Sequence, residues 1–349
     1  MAASGDTVEW FSAKFSGARR EEEQDGIHFV RRGQQWTVHW AAFRHYYKAL
    51  PRKFDVVVDQ INTIPFFTPI WSKVPAVAFF HQLAREVWWY ESPFPINATG
   101  FALEPVYLRV YRRTPIITVS NSTCSDLRAL GFKGPITVVP EGRESIGDVQ
   151  ASKSNEPRFV YVGRLSPSKR IGDIIRAFAL FRGHEGCGDL HIVGQGSPDY
   201  ANQLQRLARQ LSVAEFVTFI GHASTQEKHS LMAQAHVLLL ASVREGWGLV
   251  VIEANAVGTP AIAYNVHGLR DSIRDGQTGL LVDPTPLALE AAMRRVWLDQ
   301  ALLHQLSDRA LSWSKTFDYD TTSHAFRAAL HAALAHGGAA VHNGTELGS

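Results

Sequence analysis

HVLLLASVREGWGLVVIEANAVGTPAIAYN, residues 236–265, holds a whole repeating unit in thirty positions. HVLLLA is a short, continuously apolar run, the pattern of a strand covered on both faces. SVRE leads out of it, and a Gly-Trp-Gly turn opens the helix LVVIEANAVG, which Gly258 ends. PAIAYN is the next strand. Strand, helix and strand in this order make a parallel crossover. The same segment places Glu245 and Glu253 eight residues apart across the turn. They are either a catalytic carboxylate pair or holders of different parts of one long ligand. The helix rise separates them by roughly 8–12 Å. A glycosidase pair must flank a single bond at ~5–9.5 Å from opposing sides, and one loop-helix unit suits that poorly. A long ligand fits better, with Glu245 on sugar hydroxyls and Glu253 on a ribose diol. Taken alone, Glu253 reads as a solvated mid-helix acid.

The same unit recurs on both sides. RFVYVG, DLHIVG, FVTFIG, HVLLLA, PAIAYN and GLLVD read as strands of the second half, with helices between them, including LRDSIRDG. Ser224 followed by Glu227 is a capping box. In the first half FDVVVDQ, PAVAFFHQ, TPIITVS and GPITVVP are strands, and NSTCSDLRALG is a helix closed by Gly131. Strands alternating with helices predict an α/β fold of two facing Rossmann-like parallel-sheet domains with a cleft between them. A length of 349 residues suits two domains of ~150–200. The expected division is a first domain over 1–142, a polar linker over 143–157 and a second domain over 158–315. A C-terminal helix over 316–335, striped by Phe326, Leu330 and Leu334, returns to the first domain, and a frayed tail covers 336–349.

Composition narrows the function. Net charge is +2, from 35 basic and 33 acidic residues, so nothing calls for nucleic acid. Cys124 and Cys187 have no metal spacing and make no disulfide framework, which fits a reducing, cytoplasmic setting. No apolar run reaches the length of a membrane span.

Three strand ends carry unusual residues, and ligands of open parallel sheets bind there. In VGRLSPSKR, Gly163 and Arg164 follow the strand and Lys169 precedes the next helix. Two cations beside a helix N-terminus make an anion site; alone they equally well form a solvated surface loop. In VGQGSPD, Gly194 and Gly196 let backbone approach a ligand closely, or simply make a tight turn. The dinucleotide fingerprint is incomplete because position 199 is Asp, which disfavours a nicotinamide oxidoreductase. The third end is the GWG turn, whose Gly246, Trp247, Gly248 and Leu249 amides face a sugar and phosphate. Cations for a diphosphate, a glycine-rich helix start and two spaced carboxylates together match a nucleotide-diphosphate-sugar.

YVGRLSPSKRIGDIIRAF, LHIVGQG, FVTFIGHAS and the block from Leu238 to Val282, in that order, resemble glycosyltransferase family 4, the retaining transferases of GT-B architecture with an E-x7-E segment. The resemblance runs from about Asp55 to Asp283. It implies that Arg164 and Lys169 neutralise the donor diphosphate without a metal, that Glu245 faces the transferred sugar and that Glu253 meets the ribose. Gly163, Gly194, Gly221 and His222 line the nucleotide pocket, and His81, after VAFF, stands near the reacting sugar. It implies transfer from a nucleotide-sugar donor to a sugar, lipid-linked or small-molecule acceptor, in polysaccharide or glycolipid synthesis. Family members begin with a strand and a glycine-rich loop. TVEWFSAKF here looks like the second strand, so that opening is expected to be missing. The short start keeps a non-catalytic nucleotide-sugar-binding protein in view, and a nucleotide-sugar epimerase shares the architecture. LAREVWWYESPFP and VYLRVYRR, rich in aromatics and arginine, could touch an acceptor or the inner face of a membrane. The plainer reading is aromatics packed under a loop.

Overall fold

A computed structural model describes residues 1–49, 54–147, 149 and 152–342. The chain opens with β1 (Val8–Ser12), β2 (Glu21–Gln24) and β3 (Ile27–Arg31), then α1 (Val38–Ala49). β4 (Val57–Ile61), α2 (Thr68–Trp71), β5 (Ala76–Phe80), α3 (Val87–Glu91), α4 (Ile96–Tyr107), β6 (Ile116–Thr118), α5 (Asn121–Ala129) and β7 (Ile136–Val138) follow. The second half runs β8 (Arg158–Val162), α6 (Ile171–Glu185), β9 (Asp189–Val193), α7 (Pro198–Gln210), β10 (Val217–Gly221), α8 (Thr225–Gln234) and β11 (Val237–Leu240). It continues with α9 (Leu249–Ala256), β12 (Ala261–Tyr264), α10 (Leu269–Ser272), β13 (Gly279–Val282), α11 (Pro286–Leu298), α12 (Gln300–Ser314) and α13 (Tyr319–His342).

The second half forms one six-stranded parallel sheet, β10-β9-β8-β11-β12-β13, and every strand expected from sequence is in it. β11 and β12 are wholly buried, which is why their apolarity is continuous rather than alternating. Ser224 and Glu227 make the reciprocal capping box at α8. LRDSIRDG supplies only the single turn of α10, because Ile273 is already extended.

The first half divides into two sheets. β4-β5-β6-β7 is parallel, and both of its faces are covered. Ala78 and Phe80 point into a core with Leu108, Tyr111 and Leu127. Val77 points the other way, into a core with Ile117, Val139 and the α13 residues Ala329, Leu330 and Ala333. Phe326 of α13 meets Phe79 edge-on at 5.1 Å, so α13 seals the first sheet. Its backbone stays helical to His342, past the point where fraying was expected; 343–349 lie outside the described residues.

TVEWFSAKF forms β1, which belongs to a separate three-stranded sheet, β1-β3-β2, parallel to β3. β2 runs antiparallel to β3 through Asp25 and Gly26, both at positive φ, a two-residue hairpin turn that an Asp-Gly pair favours.

His236 begins β11's edge contact with β8. Its Nδ1 accepts from the Arg158 amide at 3.1 Å, while its own amide donates to the Arg158 carbonyl at 2.8 Å. Burial first, then the charge of Lys153, pushes its pKa down to about 4. The unfolded chain takes up a proton near 6.5 that the fold refuses. Stability is therefore full above that pH and lost as pH falls from about 6.5 towards 4, by roughly 3 kcal/mol at most. Urea unfolding at pH 7 and pH 5 measures this loss, and His236→Asn is expected to flatten it.

Candidate active site

The ends of β8, β9 and β10 form one ledge. Gly163 donates to Val193 at 3.0 Å, Leu165 to Gln195 at 2.8 Å and Gly194 to Gly221 at 2.8 Å, all backbone to backbone. A Cβ on Gly194 would lie 1.9 Å from the Gly163 carbonyl oxygen, and one on Gly196 2.0 Å from that of Leu165. These two glycines admit the neighbouring loop, which accounts for them as tight-turn positions. Gly221, at φ +78, has open space where a Cβ would be, and His222 beside it is exposed.

The β8 loop delivers its cations through a short 3-10 turn, Pro167–Lys169. Tyr161 anchors the loop by donating to the Arg164 carbonyl at 2.9 Å. Burial, then the nearby Glu245 charge, pushes the Tyr161 hydroxyl far up, so it stays a donor. The Lys169 ammonium reaches the loop after β11 and meets Glu245 Oε1 at 2.5 Å. Ser242, wholly buried, donates to the same oxygen at 2.6 Å. One ammonium proton is thus spent on Glu245, and an ammonium has three. Arg164 is more open, its side chain 66% exposed, with Nη2 3.7 Å from Glu91 Oε2.

Glu91 comes from α3 of the first domain. Its Oε1 accepts from the Ser168 hydroxyl, and from the Ser168 amide at 3.3 Å. Burial works against its ionisation, but the Ser168 and Ser166 hydroxyls and Arg164 hold the carboxyl below its ordinary range. An acid therefore sits on the cation loop from across the cleft.

The Gly-Trp-Gly turn is wedged between the domains. A Cβ on Gly246 would lie 2.5 Å from the His81 carbonyl oxygen, which brings the end of β5 against the residue after Glu245. His81 Nδ1 is 2.9 Å from Glu141 Oε1, and its ring lies 4.3 Å from that of Phe79. A carboxylate on one ring nitrogen fixes the tautomer and leaves Nε2 as an acceptor. The Trp247 side chain points away from the loop surface. Its indole is buried with Val119, Ile252 and Phe317, 5.2 Å from the Phe317 ring. It joins the domains, and the expectation for this position, which concerns its backbone amide, is left as it was. Gly248, at φ +98, starts α9, and no side chain caps that helix. The amides of Leu249 and its neighbours in the first turn keep the partial positive charge of a helix start. Glu253, one turn further on, pairs with Lys228 of α8 at 2.8 Å.

The structure therefore joins Lys169, Glu245, Gly246 and His81 directly, with Arg164 connected through Glu91. Glu253 stands apart on its own pair. Glu91, Glu141 and Ser242 were not legible, since nothing in local spacing ties residue 91 to 168 or 81 to 141.

Comparison with known proteins adds independent findings. Residues 142–313 match the family described as glycosyl transferases group 1, and residues 1–144 match Glycosyltransferase Family 4. A D-inositol 3-phosphate glycosyltransferase of Nocardia farcinica is 32% identical over 315 residues, 82% of this chain and 68% of that protein. A glycogen synthase of Mycobacterium tuberculosis is 33% identical over 211 residues, 59% of this chain; the match spans about half of that protein's length. Among solved structures, the sucrose-phosphate synthase of Thermosynechococcus elongatus superposes with a TM-score of 0.78 at 22% identity, covering 95% of this chain and 91% of the other. The HepE protein of Anabaena, solved in complex with UDP-glucose, gives 0.70 at 19% identity, covering 88% and 87%.

Proposed function

We propose, because the chain belongs to glycosyltransferase family 4, that it moves a hexose from a nucleoside-diphosphate-sugar to an acceptor hydroxyl with retention of configuration. The observation that carries this reading is the meeting of Lys169 with Glu245 at 2.5 Å, on a turn packed against the His81 carbonyl. Residues of β5, β8 and β11 then surround one ligand end. Lys169 and Arg164 take the diphosphate, helped by the uncapped start of α9. Glu245 binds hydroxyls of the sugar, His81 Nε2 accepts from another, and Glu253 holds the ribose. Complexes of HepE with UDP-glucose make UDP-glucose the first donor to try.

In the reaction the bond from the anomeric carbon to the diphosphate oxygen breaks. The acceptor oxygen attacks from the same face and forms the new glycosidic bond. Its proton passes to the departing phosphate oxygen, and the nucleoside diphosphate leaves. Negative charge grows on that oxygen, and preorganised cations there lower the barrier. No enzymic nucleophile and no metal enters this scheme; Arg164 and Lys169 supply the positive charge. On the acceptor side, Trp89, Phe94, Ile96 and Leu103 of the α3–α4 region are exposed, beside the exposed Arg109. That mixture suits a lipid-linked acceptor met at the inner face of a membrane. Among the described residues no helix is long and apolar enough to cross one.

The test is incubation with a panel of nucleoside-diphosphate hexoses and acceptors, following nucleoside diphosphate release and product configuration by NMR. An α-donor is expected to give one equivalent of α-glycoside per nucleotide released. A β-linked product refutes retention. A C2-epimerised sugar points to an epimerase, and tight nucleotide binding with no turnover points to a binding protein.

A further inference from the structure

Arg244, the residue before Glu245, belongs to the second domain by its backbone and to the first by its side chain. It is 8% exposed. Its Nε donates to Glu86 Oε2 at 2.8 Å and its Nη1 to Asp126 Oδ2 at 2.6 Å. Glu86 immediately precedes α3, and Asp126 lies on α5, so both carboxylates come from the opposite side of the cleft. Burial opposes the charge on Glu86, but the Arg244 hydrogen bond overrides it and keeps the carboxyl below its ordinary range. Asp126 Oδ2 also meets His267 Nδ1 at 2.9 Å, and the His267 carbonyl accepts from the Glu245 amide at 3.0 Å. A closed circuit results. Asp126 holds Arg244, Arg244 is bonded to Glu245, Glu245 is held by His267, and His267 returns to Asp126.

We infer that Asp126 is the first domain's grip on Glu245, and that Arg244 is a positioning residue which sets the Glu245 carboxylate only when the domains are closed. The two side chains leave the chain in different directions, Glu245 to Lys169 within its own domain and Arg244 across the cleft. Holding one fixes the other. A guanidinium this well buried needs its anionic partners. When the cleft opens, water replaces them and the strap on Glu245 is released. Donor groups assigned to Lys169 and Glu253 lie entirely in the second domain. Binding can therefore precede closure, and the circuit completes afterwards.

This inference rests on the proposed transfer, but its test includes a readout that does not. Arg244→Ala and Asp126→Ala are each expected to lower kcat at least tenfold, with the donor KM within about threefold of wild type. The double variant is expected to be no slower than the slower single one, because the residues act as one unit. Arg244→Lys, which keeps the charge and loses the two-armed geometry, is expected to recover part of the rate. Small-angle scattering of the unliganded chain should show Arg244→Ala more extended than wild type whether or not transfer is detected. If wild type transfers nothing while Arg244→Ala still opens the chain, the strap stands and the proposed activity fails. If Arg244→Ala is as compact as wild type, the inference is overturned. It is equally overturned if the variants lose donor binding and thermal stability in step with kcat, which is the signature of a merely structural contact.

Discussion

Lys169→Ala is expected to slow transfer by a factor on the order of 10²–10³, the usual loss when one preorganised charge-stabilising group is removed. In the proposed reaction the ammonium takes the charge that the leaving diphosphate gathers, and no other cation contacts Glu245 among the described residues. Glu245→Ala is expected to lose as much from the other end. It removes the carboxylate that receives both Lys169 and Ser242 and frees the ammonium to wander. Neither change should unfold the chain. The side chains of the pair are 23% and 19% exposed, and stranding one partner of a largely buried pair costs up to about 3–5 kcal/mol, less than the ~5–15 kcal/mol that holds a typical domain folded. Rates of nucleoside diphosphate release, set beside thermal melts, separate the two effects. Unchanged rates in both variants refute the site.

Gly268→Ala is expected to carry a large stability loss at the site itself. Gly268 sits at φ +81, and a Cβ there would lie 2.3 Å from the Glu245 carbonyl oxygen and 2.9 Å from the Glu245 Cβ. Rotating a side chain cannot relieve a collision with backbone. Left-handed strain and the overlap together are expected to cost about 3 kcal/mol or more, and the Glu245 loop must shift to accommodate the methyl group. Activity should therefore fall with stability. Gly221→Ala is the control. It has a similar φ, +78, but open space around it, so only about 1 kcal/mol is expected. Urea midpoints of the two variants test the difference; equal midpoints would show that the Glu245 loop yields freely.

The second domain was legible because burial on both faces writes each strand as an unbroken apolar run; VLLL and AIAY allow little else. The first domain was less so. β2 is Glu-Glu-Glu-Gln, charged at nearly every position because its outer residues are solvated, and only the Asp-Gly turn beside it betrays a hairpin. α4 carries Gly100 and Pro105 inside, so propensity argued against a helix that packing against α3 nevertheless supports. At the site, residues at strand ends could be picked out because topology sends ligands there. Their partners could not. Glu91 finds Ser168 from 77 positions away and Arg244 finds Glu86 from 158, and no periodicity spans such distances. The course of the Trp247 side chain was not legible either. A glycine-rich turn does not say where its one indole goes; next to Val119 and Phe317 it closes the apolar seam between the domains.

The most direct measurement is a crystal structure of the chain with a nucleoside-diphosphate-sugar that it binds. The account predicts phosphate oxygens within hydrogen-bonding reach of Lys169 and Arg164, the hexose against Glu245 beneath His81, and the ribose diol on Glu253. A diphosphate seated elsewhere, with Arg164 and Lys169 turned to solvent, would contradict it.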